Sequence, residues 1–264
     1  MKTKILNSEI FFEIAGNGQS IVLLHGFTED SSIWEYFAKE LSKQYNVVTI
    51  DLPGHGQSDC LGDIHTMSQM AQVVKEVLDN HEITSAVIVG HSMGGYVALS
   101  FAKMFPEMVK GLGLFHSTAT ADTDAAKKNR DIAIKAIKEN HQGFLFNFIP
   151  DLFAPGNREK YSAEIDSLIS KANQMDKRGI IAALAGMKER PDMLEFIGET
   201  TYPVMFIAGK EDTRIPLEGV AGQIALPSES YSLVLGNVGH MGYIEAKEET
   251  LSFVSYFAQS CFSK

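Results

Sequence analysis

Short apolar runs recur along the chain at intervals that leave room for a helix between each pair: IVLLHG from Ile21, NVVTID from Asn46, AVIVGHS from Ala86, VKGLGLF from Val109, YPVMFIAG from Tyr202 and YSLVLG from Tyr231. A strand that is apolar at successive positions is buried on both faces, as strands of a parallel sheet are once helices cover it. The pattern therefore predicts an α/β fold, with a mostly parallel central sheet flanked by helices.

Helix boundaries can be read between the runs. Thr66 with Gln69 has the spacing of a capping box, and Met67, Met70, Ala71, Val74 and Leu78 follow along one helical face. Ser32 with Glu35 has the same spacing, with Trp34, Phe37, Ala38 and Leu41 behind it. Pro106 closes the helix that begins after Ser92.

The alternation breaks from Thr118 to Glu195, where helical spacing takes over. Ala125 to Asn140 reads as one helix, Ile165, Leu168, Ile169 and Ala172 mark a second, and Arg178 to Arg190 makes a third, stopped by Pro191. The expected organisation is a core of residues 1–117 and 196–264 with a helical cap inserted as residues 118–195. Between the cap helices lies FLFNFIPDLF, Phe144 to Phe153. Its alternating Phe144, Phe146 and Phe148 permit a short strand but fit better as an apolar patch on a lid.

A chain of 264 residues, 45% hydrophobic, can bury one large core. The formal net charge of −10 disfavours nucleic acid and anionic membrane as partners, because phosphate repels an acidic surface. Cys60 and Cys261 have no CxxC or Cys/His metal spacing, so reduced thiols are expected rather than a disulfide framework or a zinc site. The opening MKTKIL resembles the start of a signal peptide, but Asn7, Ser8 and Glu9 interrupt any apolar region. The expected compartment is the cytoplasm.

VIVGHSMGG, Val87 to Gly95, joins a β-branched strand to an apolar helix through a serine set among glycines. A residue on so sharp a turn takes a positive φ, and its neighbours must be small; Gly90, Gly94 and Gly95 meet that need. GHSMG in this setting resembles the α/β-hydrolase superfamily, as do DLPGHGQSD at Asp51 and LLHGF at Leu23. The resemblance covers nearly the whole chain and is loosest in the cap. It implies an α/β-hydrolase fold with Ser92 as the nucleophile of a Ser-His-Asp triad.

A serine hydroxyl needs a neighbouring base, and NVGHMGYIE after the last apolar run resembles the superfamily's base loop, which assigns His240. AGKEDTRIP after the preceding run resembles the acid loop. Asp212 fits its spacing, with Glu211 as the competitor. The oxyanion hole would use the backbone amides of Phe27 and Met93. His25, His91, His116, Phe144 and Phe148 are candidates to line the substrate pocket; His25 fits better as a brace for its loop, and His91 as a packing residue.

The expected activity is hydrolysis of a small carboxylic ester or thioester through an acyl-enzyme, with a small-molecule acyl substrate as partner and neither metal nor organic cofactor. One alternative is a cofactorless lyase or C–C hydrolase of the kind used in menaquinone synthesis, for which Arg130, Arg178 and Arg190 are the cap's candidates to meet an acidic substrate. Another is a non-catalytic ligand-binding member.

Overall fold

A computed structural model describes residues 1–5 and 8–263. Asn7, one of the residues that interrupt the opening apolar run, lies outside them. The sheet has eight strands: β1 (Lys2–Ile5), β2 (Ser8–Ala15), β3 (Ser20–Leu24), β4 (Asn46–Ile50), β5 (Ala86–His91), β6 (Val109–Phe115), β7 (Val204–Gly209) and β8 (Ser230–Leu235). Their spatial order is β1-β2-β4-β3-β5-β6-β7-β8. Each apolar run predicted above is one of the strands β3 to β8, and all of these pair in parallel.

The first two strands carry no such run and pair antiparallel, β1 with β2 and β2 with β4. In β2, Ile10 and Phe12 are buried while Glu9 and Glu13 are exposed. That alternation is the mark of a strand with one wet face, as an antiparallel edge allows. Central β3, β5 and β7 are buried at every position.

Period two in the strands sorts their residues into two cores. Val22, Leu24 and Ile88 face one side, under the helices α2 (Met67–Asp79) and α3 (Met93–Met104). Ile21, Leu23, Val87 and Val89 face the other, where α1 (Glu35–Leu41) and the last helix of the chain bring Trp34, Phe37 and Phe257. The Thr66–Gln69 capping box of α2 is formed. The expected box at Ser32 is not: a short 3-10 turn, Ser31–Trp34, precedes α1, and Asp30 caps it by accepting from Ser32 N. The tighter turn shifts the cap two residues upstream.

Between β6 and β7 lie α4 (Asp124–Phe148), α5 (Ser162–Gln174), α6 (Lys177–Lys188) and α7 (Leu194–Gly198), with no strand among the described residues. The first is longer than the sequence predicts. It continues past a break at Asn140 (φ −151°, ψ 85°) and carries the phenylalanines as helix, which excludes a strand there. Phe144 and Phe148, one turn apart, stack with ring centroids 5.2 Å apart, whereas Phe146 points away and is 67% exposed. The chain finishes with α8 (Leu217–Ala221), α9 (Gly242–Glu245) and α10 (Lys247–Phe262). No disulfide joins Cys60 and Cys261, and no described helix is long and apolar enough to cross a membrane.

Candidate active site

Ser92 stands between β5 and α3 with φ 50° and ψ −113°, a conformation that side chains other than glycine adopt only under constraint. The constraint is visible in its neighbours. A Cβ on Gly90 would lie 2.1 Å from the backbone of Gly94, and one on Gly94 would lie 2.4 Å from the Leu24 carbonyl oxygen. The strand, the turn and the helix can close on each other only because these positions carry no side chain. Ser92 N donates to Phe115 O at 2.9 Å, and Ser92 O accepts from the Ser117 hydroxyl at 2.8 Å.

Asp212 follows β7 and His240 follows β8. The two meet at 2.8 Å, Asp212 Oδ2 to His240 Nδ1. Oδ1 of the same carboxylate accepts from Arg214 N and Ile215 N at 2.8 and 2.9 Å. A carboxylate so supplied only accepts, so Nδ1 of His240 carries the proton between them. Burial would push the Asp212 carboxyl up, but His240 and His116 beside it hold it well below the usual range. Glu211 bonds through its backbone to Val238 and takes no part.

Ser92 and His240 open into one cavity of about 560 Å³ beneath the helical segment, lined also by Phe27, Phe144 and Phe148. Both line this cavity, and Ser92 Oγ and His240 Nε2 make no direct hydrogen bond. Phe27 lies edge-on to Phe148 at 5.7 Å, on the loop after β3. Met93 is the first residue of α3, where a helix has no internal acceptor for its N–H. The amides expected to hold an oxyanion are thus carried by the loop and the helix start that flank Ser92.

Two of the expected pocket histidines are elsewhere. His25 is fully buried behind the cavity: its Nε2 accepts from Leu52 N at 2.9 Å, which leaves Nδ1 to donate to Gly26 O at 2.8 Å. It ties the Phe27 loop to Leu52. His116, at φ 47°, is not among the residues lining the cavity and places Nδ1 3.0 Å from Asp212 Oδ2, sharing that oxygen with His240. Burial first, against the pull of Asp212, holds the His116 imidazole neutral, with its pKa down at about 4.

His91 does border the cavity, but its role is set from below. Its Nε2 donates to His240 O and its Nδ1 to Glu29 Oε2, both at 2.9 Å. Glu29 also accepts from Gly26 N at 2.6 Å and from the Tyr243 hydroxyl at 2.9 Å. A carbonyl and a carboxylate on opposite sides of one ring require a proton on each nitrogen, so the pair is imidazolium and carboxylate. Burial disfavours both charges, yet each partner outweighs it: the Glu29 pKa is lowered and that of His91 raised. One buried carboxylate thereby ties the Phe27 loop, the residue before Ser92, and the His240 loop together. Sequence reading missed Glu29 and Tyr243, since nothing in a local pattern marks an acid as buried.

His116, Asp212 and His240 are also the group of ligand atoms, within 4.8 Å of one another, whose residue types could hold a metal. The protons on the two Nδ1 atoms occupy the shared carboxylate oxygen, so an ion there would displace both hydrogen bonds.

A fold of this topology with a strained serine on the β5–α3 turn and a His–Asp pair on the loops after β7 and β8 defines a class, and the comparisons agree. The alpha/beta hydrolase fold family matches residues 19–247, and the chain belongs to that family. It is 28% identical over 243 residues to the dihydrolipoyllysine-residue acetyltransferase component of the acetoin cleaving system of Pseudomonas putida, covering 90% of this chain and 63% of that protein, so it spans less than two thirds of that relative. It is likewise 28% identical to a 2-hydroxy-6-oxononadienedioate/2-hydroxy-6-oxononatrienedioate hydrolase of Paraburkholderia phymatum, over 87% of this chain and 83% of that one. Among solved structures, a thermophilic esterase from Thermogutta terrifontis, crystallised with malate, superposes with a TM-score of 0.91 at 27% identity, over 96% of this chain and 94% of that one.

Proposed function

We propose that the protein is a serine hydrolase of small carboxylic esters or thioesters, with Ser92 as nucleophile, His240 as general base and acid, and Asp212 as the group that orients and charges His240. The observation that carries this reading is the His240 Nδ1–Asp212 Oδ2 bond of 2.8 Å, which leaves Nε2 basic in the cavity that Ser92 enters. In the reaction, Ser92 Oγ bonds the acyl carbon as its proton passes to His240 Nε2. The bond to the alcohol then breaks and His240 protonates the departing oxygen. Water repeats the sequence, giving its proton to His240, and the acid leaves as Ser92 regains a hydrogen. The oxyanion formed at each addition is met by the amides of Phe27 and Met93. Residues 118–195 act as the lid, and no cofactor or metal takes part in these steps. The proposed compartment is the cytoplasm, checked by cell fractionation.

The test is turnover of p-nitrophenyl butyrate and labelling by a fluorophosphonate. Both are expected from the wild type, and Ser92→Ala is expected to lose turnover by about 10⁴-fold or more with its fold intact. Full activity in that variant would overturn the assignment.

The resemblance to a C–C hydrolase supports a second reading, proton transfer by the same residues on a C–C bond substrate. The arginines first considered for it divide: Arg178 is exposed and held by Asp176, Arg190 is buried on Asp122, and only Arg130 borders the cavity. Absence of ester turnover together with fluorophosphonate labelling would favour this reading.

A further inference from the structure

The cavity above Ser92 and His240 has an uneven charge lining. Its carboxylate is Glu29, and both oxygens of that group are taken by Gly26, His91 and Tyr243. Its guanidinium groups are Arg130 and Arg214. Arg130 is held by Asp122, a carboxylate it shares with Arg190. Two cations on one anion leave a positive excess around Asp122.

Arg214 forms no ion pair among the described residues. Its backbone N–H caps Asp212, but its side chain makes no hydrogen bond or ion pair with the described residues. The neighbouring Asp151 is engaged by Arg158 at 2.9 Å. What holds Arg214 is the ring of Phe148, whose centroid lies 4.6 Å from the guanidinium carbon. Stacking uses the flat face of a guanidinium and leaves its edge of N–H donors free, the edge that matches a carboxylate. Arg214 as a whole residue is exposed, so it sits at the rim of the cavity; partial burial of its guanidinium lowers its pKa, against the pull of Asp151 and Asp212. In a chain with a formal net charge of −10, an unmatched cation in the catalytic cavity is a local reversal of the overall field.

We infer that Arg214, stacked on Phe148, is a specificity determinant that binds a carboxylate carried by the ester substrate, so that the enzyme's substrates are half-esters or esters of acidic alcohols rather than neutral lipids. This rests on the serine-hydrolase reading above and deepens it. Arg130 contributes field but not a free donor edge, since Asp122 occupies its Nε and Nη2.

The test compares p-nitrophenyl hydrogen adipate with the neutral ester in which an isopropyl group replaces the carboxylate, and acetoxybenzoate with phenyl acetate. The first pair puts the anion on the acyl side and the second on the alcohol side. In at least one pair the wild type is expected to prefer the anionic ester in kcat/KM, and Arg214→Gln to cut that preference about tenfold or more. Arg214→Lys should retain part of it, keeping the charge and losing the fork, and Arg214→Glu should reverse it. A preference unchanged by Arg214→Gln in both pairs, or no preference in the wild type, would overturn the inference. If no ester is cleaved, the hydrolase reading fails by itself, and calorimetric titration with adipate decides this one: a binding heat that Arg214→Gln loses sustains it, and no difference between the two proteins ends it.

Discussion

The Nε2 of His91 lies 2.9 Å from the carbonyl oxygen of His240, so the residue just before Ser92 holds the backbone of His240. Register between these two loops is therefore not left to the Ser92 and His240 side chains themselves. The other nitrogen of His91 passes the connection to Glu29 and from there to Gly26 and Tyr243. Functional groups keep a productive geometry only when such supporting contacts lock them.

Glu29→Gln should be costly for this reason. It keeps the shape but removes the charge that a buried imidazolium faces, and breaking one partner of a buried pair costs about 3–5 kcal/mol. Urea unfolding should show that loss. In material still folded at low temperature, kcat should fall more than KM rises, because the reacting groups are misplaced while the Phe144 and Phe148 walls persist.

Stability should depend on pH from both sides of this network. The folded pKa of His91 is above its ordinary 6.5 and that of Glu29 below its ordinary 4.5. The His91 contribution is complete below 6.5 and lost as pH rises through the raised value; the Glu29 contribution is complete above 4.5 and lost as pH falls. His116 works in the opposite sense to His91, since with a folded pKa of about 4 it lets the unfolded chain take up a proton first once pH drops below 6.5. Urea midpoints across about pH 4–9 should fall at both ends. His91→Gln should flatten the alkaline fall, and His116→Asn should reduce the acid one.

Ser92→Gly should separate stability from activity. The left-handed φ of 50° strains a serine, by about 1–3 kcal/mol for such positions, and glycine relieves it. Against that stands the extra freedom glycine gives the unfolded chain, about 0.5–1 kcal/mol. The variant should be inactive and about 1 kcal/mol more stable than Ser92→Ala, which retains the strain. Equal stability of the two variants in denaturant titrations would contradict the account of the turn.

Gly94→Ala should prevent folding or leave an insoluble chain, because its Cβ would sit 2.4 Å from Leu24 O and 2.7 Å from His25 O, backbone atoms at the end of β3 and just after it. Gly156→Ala is the control: nothing lies within 4 Å of a Cβ there, and its φ is not in the left-handed region. Its melting temperature should stay within a degree or two of the wild type, about 0.5 kcal/mol either way.

Strands β3 to β8 were legible because burial on both faces forces an unbroken apolar run, which a local window detects. The pair β1 and β2 escaped for the complementary reason: each has one wet face and supplies few apolar residues. Phe144, Phe146 and Phe148 show the limit of periodicity over so short a stretch. Alternation fits a strand, but the helix that began at Asp124 continues past Asn140 and divides them between cavity and solvent.

By itself the sequence determined the α/β layering and the sharp turn at Ser92, since each depends on residues adjacent along the chain. Tertiary structure alone decided that His116 turns to Asp212, that His25 braces a loop, that Glu29 is the buried anchor of three segments and that Arg214 lies over the Phe148 ring. Those outcomes are settled by which donors and acceptors are excluded from water together. Such exclusion joins residues as far apart as Glu29 and Tyr243, and no local pattern records it.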